Sequence, residues 1–428
     1  MAEIRVDFSK SIASIKALHG GGQPPTTSNA SNEYFHYLTE AGIPYSRLHD
    51  VGGAFGAGKY VDIPNLFRDF DADETDPRNY DFAFTDLLIS QLVKAGVEPY
   101  FRLGVTIENA AHVKSYWIDP PRDYAKWARI CEMVIRHYTE GWADGFHYKI
   151  TYWEIWNEPE NGQMWTGTAE DYYRLYDVAS KHLRAKFPHL KFGGYAACGF
   201  YGAVGGGNPW NPEDDGTKDL PLIEFFHGFM RYVKVHGSPL DFFSWHTYSE
   251  HKNLLAQDAW LKEQLVVYGY GDVEVHLNEW NPDFHTLGTG HHAAEIAAVL
   301  TGIQHGRTDK CFIYDMRNNN APFCALFHPI TKKPLQGYYA LYAFNRLYQL
   351  GEEAPSSSDT EGMYVLSAVK GEGRAMLLSN RSGQVQPLSF FGADPKTAKA
   401  HVIDNTRPFE PVDTPSVIEN DSVLLLEW

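Results

Sequence analysis

Eight short apolar runs alternate along this chain with longer segments of helical periodicity, and that alternation limits the fold more than any other feature. The runs are Ser14 to Leu18, Ile43 to Leu48, Val97 to Leu103, Ile150 to Trp156, Lys191 to Tyr195, Leu240 to Tyr248, Val273 to Glu279 and Lys310 to Asp315. Between them, Tyr124, Trp127, Ala128, Cys131, Val134, Ile135 and Tyr138 recur at three and four positions, the spacing of one helical face. A second face runs through Tyr172, Leu175, Tyr176, Ala179 and Leu183, preceded by Thr168 with Asp171 three residues on, an approximate capping box. Strand–helix repetition on this scale predicts an α/β fold of the (β/α)8 TIM barrel type, which takes about 250 residues. A doubly wound sheet is disfavoured, because no phosphate-binding glycine fingerprint follows the first run.

After a helical stretch from Tyr338 to Leu350 the pattern changes. Met363 to Ala368, Arg374 to Leu378, His401 to Ile403 and Val423 to Leu426 are short strand-like runs separated by Gly, Pro, Asn and Asp. This tail predicts a small β-sandwich, to which the alternating N-terminal segment Glu3 to Phe8 adds a strand. The expected division is a barrel over residues 11–352 and an accessory sandwich built from 1–10 and 353–428.

Charge and cysteine usage exclude several classes of partner. A formal charge of −17, with no local run of Lys or Arg, repels phosphate backbones and anionic lipid, so neither nucleic acid nor a membrane surface is expected. No stretch reaches the length of a spanning helix, and Met1-Ala2-Glu3-Ile4-Arg5 lacks the cationic start and apolar core of a signal peptide. Cys131, Cys198, Cys311 and Cys324 show no C-x-x-C spacing, which fits reduced thiols and a cytoplasmic location. A homo-oligomer is compatible with the sequence.

Two of the buried runs end in a carboxylate. Trp153-Glu154-Ile155-Trp156 passes abruptly into Asn157-Glu158-Pro159-Glu160, and Val275-His276-Leu277-Asn278 ends at Glu279-Trp280. In a parallel barrel, chemistry gathers at the C-terminal ends of strands. Either glutamate alone is as readily an ordinary loop residue as a catalytic one, but a pair at two strand ends suits glycosidic bond cleavage. There one carboxyl protonates the leaving oxygen while the other attacks or shields an oxocarbenium-like carbon. Asn157 supplies an amide suited to a sugar 2-hydroxyl, and Pro159 fixes the exit from the strand.

Other apparent motifs are set aside. Gly53 to Lys59 has the G-x-x-x-x-G-K spacing, but Tyr60 stands where Ser or Thr is required and Val61-Asp62-Ile63-Pro64 cannot open a helix. His285, His291, His292 and Glu295 do not make H-E-x-x-H, and Gly288 and Gly290 mark a turn among them. No metal or cofactor is expected. Two loops are candidates for specificity. His19 to Pro24 is expected to follow the first strand, and Tyr201 to Asp219 carries Trp210 with Glu213, Asp214 and Asp215. The Trp210 indole either stacks on a sugar or anchors a solvated loop. Trp156, Trp165, Trp245 and Trp280 are expected to build an aromatic wall near the catalytic strand ends.

The chain resembles the clan A glycoside hydrolases, and most of all glycoside hydrolase family 39, the family of β-xylosidases and α-L-iduronidases. Beyond Asn157-Glu158-Pro159 and Glu279, the resemblance covers Tyr45-Ser46-Arg47-Leu48-His49 on the second strand and Phe242-Phe243-Ser244-Trp245-His246-Thr247-Tyr248 on the sixth. It implies that Glu158 is the general acid/base and Glu279 the nucleophile, and that Arg47 and Tyr248 bond the nucleophile. It implies further that His49, Asn157 and His246 line the sugar site. Trp280 is added to the substrate-binding set from its place at the strand end. A bland reading accompanies each helper: Arg47 as a structural ion pair, His246 and Tyr248 as satisfied core residues on one strand face. The eighth run, Cys311 to Met316, lacks the tryptophan that clan members often place under the first sugar.

The expectation is therefore a retaining, exo-acting glycosidase that works by double displacement on a small oligosaccharide or glycoside, with xylose as the first choice of glycone. A galactoside, arabinoside or glucoside under the same mechanism, or a carbohydrate-binding barrel without catalysis, is the alternative.

Overall fold

The computed structural model describes residues 1–25, 34–49, 51, 60–106, 118–210, 213, 216–318, 323–324 and 326–428. The glycine run Gly53 to Lys59 lies outside these residues, as do Asp214 and Asp215. Eight parallel strands close into a barrel: β1 (Gly20–Gly22), β2 (Tyr45–Leu48), β3 (Glu98–Leu103), β4 (Tyr152–Ile155), β5 (Lys191–Ala197), β6 (Phe242–Thr247), β7 (Glu274–Trp280) and β8 (Lys310–Ile313). Each pairs with its neighbours in sequence, and β8 returns to β1 through Phe312 opposite Gly20. The expected helix through Tyr124 runs Tyr124–Glu140, capped by the Asp123 side chain and closed by left-handed Gly141. Thr168 and Asp171 form a reciprocal capping box on the helix Ala169–Lys186.

The first strand differs from expectation. Ser14 to Leu18 is not a barrel strand; the glycines assigned to the loop behind it are β1 itself. Three residues without side chains have no hydrophobic pattern to read, and their strand character comes from pairing alone. Glycine is required here by close approach. A Cβ on Gly21 would come within 2.2 Å of Met316 Sδ, and one on Gly20 within 2.8 Å of the Cys311 carbonyl oxygen.

The accessory domain is a sandwich of two sheets. Ala2–Val6 lies between Ser356–Ser358 and Gln386–Phe391 in a four-stranded sheet, as the N-terminal alternation predicts. The second sheet has seven strands, among them Lys399–Ile403, Ser422–Glu427, Gly373–Asn380 and Met363–Lys370. Its edge strand is Ala13–Ser14, paired with Glu352–Glu353, so the crossover into the barrel falls after Ser14 rather than at residue 10.

This larger sheet is buried on both faces. Met376, Leu378, Leu424 and Leu426 point into the sandwich with Ala2, Ile4 and Val6. Ala375, Leu377, Val423 and Leu425 alternate to the other side and join the main core around the helices Gly290–Gln304 and Gln336–Leu350. Ser379 donates to the Ala294 carbonyl at 2.7 Å across that boundary. Among the described residues no disulfide is formed, and no helix is long and apolar enough to cross a membrane.

Candidate active site

Strand alternation places a polar layer above the barrel floor. Arg47 on β2, Glu154 on β4, Ser244 and His246 on β6 and Asn278 on β7 all face inward and are at most 1% exposed. Arg47 is the hub. Its Nε donates to Glu154 Oε2 at 2.8 Å, Nη1 to Glu279 Oε2 at 3.2 Å and Nη2 to Asn157 Oδ1 at 2.6 Å. Glu154 also accepts from Ser244 Oγ and from Asn278 Nδ2, each at 2.5 Å. A buried guanidinium is tolerable because two carboxylates and an amide receive it. Burial alone would lower the Arg47 pKa, but the charges of Glu154 and Glu279 outweigh it and raise it.

An extra residue in β7 aims the nucleophile candidate. Against β6, Trp245 pairs with Leu277 and His246 with Glu279; against β8, Cys311 pairs with Leu277 and Ile313 with Trp280. The bulge resets the alternation, so Asn278 and Glu279 both bond groups inside the barrel while Leu277 and Trp280 join the outer core. Trp280 is thus fully buried, with no surface for a sugar, which corrects its place in the substrate-binding set. The other expected wall residues are sealed too: Trp156 donates to the Met164 carbonyl, Trp165 to that of Thr168, and Trp245 to Thr308 Oγ1.

Glu158 reaches the same place from β4 by a distorted exit. Trp156 and Glu158 have φ of 74° and 45°, left-handed values that cost a non-glycine residue about 1–3 kcal/mol each. The Glu158 amide donates to the Ala196 carbonyl on β5 at 3.1 Å, which holds the turn. His246 Nδ1 lies 2.7 Å from Glu158 Oε1 and 3.8 Å from Glu279 Oε2. Ligating-type atoms of Glu158, His246 and Glu279 all fall within 4.8 Å of one another. With Arg47 already bound to Glu279 and His246 committed to Glu158, the trio forms a proton-sharing cluster more readily than a cation site.

Tyr248 Oη bonds Glu279 Oε1, and burial together with the Glu279 charge lifts the phenol pKa well above its ordinary value, so it remains a donor. The structure therefore brings together Glu158, Glu279, Arg47, Asn157, His246 and Tyr248. His49 sits 5% exposed one residue beyond β2. His246 is fully buried and bridges the carboxyls, so it acts on them rather than presenting an open face to a sugar. Trp210 is 53% exposed; its indole stacks on Phe284 at 5.2 Å and meets Tyr248 edge-on at 5.5 Å.

The two carboxyls interact too strongly to titrate independently. Burial would raise Glu158, but the hydrogen bond and charge of His246 outweigh it and hold the acid low. Burial raises Glu279, and the Glu158 charge adds to this against the pull of His246, Arg47 and Tyr248. That order, with Glu158 ionised, opposes the one double displacement needs. A proton on Glu158 removes the repulsion on Glu279 and leaves it held by Arg47 and Tyr248. The pair then carries one charge, on Glu279, facing Arg47.

Local reading of the sequence missed Glu154, Ser244 and Asn278. Glu154 carried a signal, as a carboxylate inside an apolar strand two residues from Tyr152 on the inward face. The set-aside histidines are dispersed: His292 pairs with Asn281 at 2.9 Å, His291 with Asp283 and Asp421 at 3.3 Å each, and Glu295 with His251 and Arg381. They tie the segment after β7 to the sandwich.

The profile of glycosyl hydrolases family 39 matches residues 39–316. A β-xylosidase of Geobacillus stearothermophilus is 23% identical over 275 residues, covering 58% of this chain and 50% of that one. A β-xylosidase of Caldicellulosiruptor saccharolyticus is 28% identical over 178 residues, 40% of this chain and 31% of that one. The chain spans about half the length, or less, of these curated relatives. Among solved structures, a Croceicoccus marinus glucosidase superposes with a TM-score of 0.77 at 20% identity, covering 100% of this chain and 98% of that one. A monomeric β-xylosidase of Caulobacter crescentus CB15 gives 0.70 at 16% identity, with 99% of each chain covered. At these identities the likeness shows a shared fold.

Proposed function

Because the chain belongs to glycosyl hydrolases family 39, we propose that it is a retaining glycosidase that removes terminal sugars from small oligosaccharides or glycosides, with xylose the first glycone to test. Glu279 attacks the anomeric carbon as the bond to the leaving oxygen breaks, and Glu158 delivers its proton to that oxygen. Water then attacks the anomeric carbon of the glycosyl–Glu279 intermediate while Glu158 takes the water's proton, the anomeric carbon–oxygen bond to Glu279 breaks, and the carboxylate of Glu279 is released. Arg47 and Tyr248 keep Glu279 ionised and aimed during attack, and His246, 2.7 Å from Glu158 Oε1, orients the acid toward the leaving group.

One observation supports this above all: one carboxyl oxygen of Glu158 and one of Glu279 lie within 4.8 Å of each other, a close approach that suits the roughly 5–5.5 Å carboxyl spacing of direct displacement better than the roughly 6.5–9.5 Å that admits an intervening water. Xylose is favoured because the curated relatives are β-xylosidases. A panel of aryl xylosides, glucosides, galactosides and arabinosides, followed by time-resolved NMR, tests glycone and stereochemistry together. The expected first product keeps the anomeric configuration of the substrate; inversion would overturn the role of Glu279. Release of single xylose units from a xylo-oligosaccharide terminus tests exo action.

A further inference from the structure

A third carboxyl stands beside the pair and takes no part in the chemistry above. Glu160, two residues past Glu158, accepts from the Cys198 amide at the end of β5: Oε1 lies 2.6 Å from that nitrogen. Its Oε2 is sealed from solvent and has no hydrogen-bond partner among the described residues. Together with the bond from the Glu158 amide to Ala196, this contact staples the turn after β4 to the end of β5 on both sides of the acid/base candidate.

We propose that Glu160 is a positioning residue that acts through the Cys198 amide, holding the turn after β4 against the end of β5 and with it the Glu158 carboxyl in its working place. The inference rests on the glycosidase reading. The groups that face Glu160 are Glu158 on its own turn, Tyr195 and Cys198 on or just past β5, and Tyr172 and Tyr173 on the helix Ala169–Lys186. None is a cation, and Tyr172 and Tyr173 spend their hydroxyls on the carbonyls of Ile155 and Phe225. An unpartnered carboxylate oxygen is costly in such surroundings, so the carboxyl keeps its proton. Burial, against the Cys198 bonds and with the Glu158 charge, pushes it up to about 8. Cys198 is likewise pushed well up, first by burial and then by the two glutamate charges, and stays a thiol that can donate. While Glu160 is neutral, Glu158 is the single charge that comes and goes on this turn. Above about pH 8 a second charge forms in a sealed site with no counterion, and its repulsion favours the protonated form of Glu158.

The test is kcat/KM of wild type, E160A and E160Q on phenyl and 2,4-dinitrophenyl β-xylosides from about pH 5 to about pH 10. A good leaving group needs little proton assistance, so damage that passes through the acid falls on the poor one. E160A is expected to lose at least about tenfold on the phenyl xyloside and less than about threefold on the dinitrophenyl xyloside. E160Q, which keeps an acceptor for the Cys198 amide, is expected to restore the phenyl xyloside rate to within about threefold of wild type. Equal losses on both leaving groups, or an E160Q no faster than E160A on the phenyl xyloside, would overturn the proposal. If E160A does not fold, E160Q decides alone: a folded E160Q that loses about tenfold or more on the phenyl xyloside would overturn it. Wild type idle on the whole glycoside panel would sink the glycosidase reading and this inference with it, whereas an active wild type with either overturning result sinks this inference only.

Discussion

The floor and the mouth of the barrel are made by the same strands, two residues apart, and they solve the problem of a sealed interior in opposite ways. At the floor, Tyr45, Tyr100, Tyr152, Phe242 and Phe312 form a separate aromatic cluster with His276 among the rings. Tyr100 stacks on Tyr152 at 5.6 Å, Phe242 on His276 at 4.7 Å, and the polar tips are spent on His276 Nδ1 and Glu274. One step up each strand the side chains become Arg47, Glu154, Ser244 and Asn278, then Glu158, His246 and Glu279. Dispersion and apolar burial stabilise the floor, while the mouth holds charges that cost desolvation and are tolerable because they are paired with one another. The contrast teaches that the barrel keeps structural and chemical demands in separate layers, so substitutions in the two should fail differently.

The largest expected effect is at the mouth. E279Q removes the attacking oxygen while retaining most of the volume and should lower kcat/KM by on the order of 10⁴-fold with the melting temperature nearly unchanged. Aryl-glycoside kinetics beside a thermal melt checks this. Activity above about a hundredth of wild type in a folded variant would show that another group attacks.

The mirror experiment is at the floor. Phe242→Ala leaves a cavity under Tyr100, Tyr152 and His276 and should destabilise the chain by about 3–5 kcal/mol, with kcat/KM per folded molecule unaltered. Urea unfolding measures the first quantity and active-site titration the second. A variant that keeps its stability but loses turnover would dissolve the separation of layers.

The two layers were unequally legible in the sequence. β2 to β8, the Thr168–Asp171 box and the strand-ending glutamates are local signals, each visible in a short window, and so were recoverable. β1 was not, because Gly20, Gly21 and Gly22 have no periodicity; only the packing of Met316 and Cys311 against them explains the glycines. Trp280 was misassigned for another reason. Period-two alternation predicts opposite faces for Asn278 and Glu279, and a bulge defined by pairing with β6 and β8 puts both inside and sends Trp280 outward. Glu154 and Glu160 show the remaining limit. Their burial depends on partners more than a strand away, Arg47 and Cys198, which no local pattern names.

A smaller effect sharpens the picture of the mouth. Y248F deletes one donor to Glu279 and leaves the ring contacts with Trp210 and Phe323 in place. With only Arg47 left as a direct donor, the Glu279 carboxyl should rise further, so the acid limb of kcat/KM moves to higher pH and kcat falls about 10- to 100-fold. A pH–rate profile decides this. An unmoved acid limb would mean that Tyr248 serves packing alone.

The smallest effect belongs to the floor and concerns acid stability. His276 is buried among rings, and burial, with the nearby Lys310 charge, holds its pKa well below the ordinary value. An unfolded chain takes up a proton on this imidazole as pH falls below about 6.5, whereas the folded chain does not, so His276 contributes nothing above that pH and destabilises progressively below it. His19, lowered by burial to about 4, and His292, lowered by burial to about 3, act in the same sense at other places in the fold. H276Q should remove one of these uptakes, making stability fall less steeply between about pH 6 and pH 5, by about 1.4 kcal/mol per pH unit, whatever its effect on stability at neutral pH. Urea midpoints at several pH values give the slope. Parallel slopes for variant and wild type would mean that the folded floor accepts a proton, and that its separation from the charged mouth is less complete than its rings suggest.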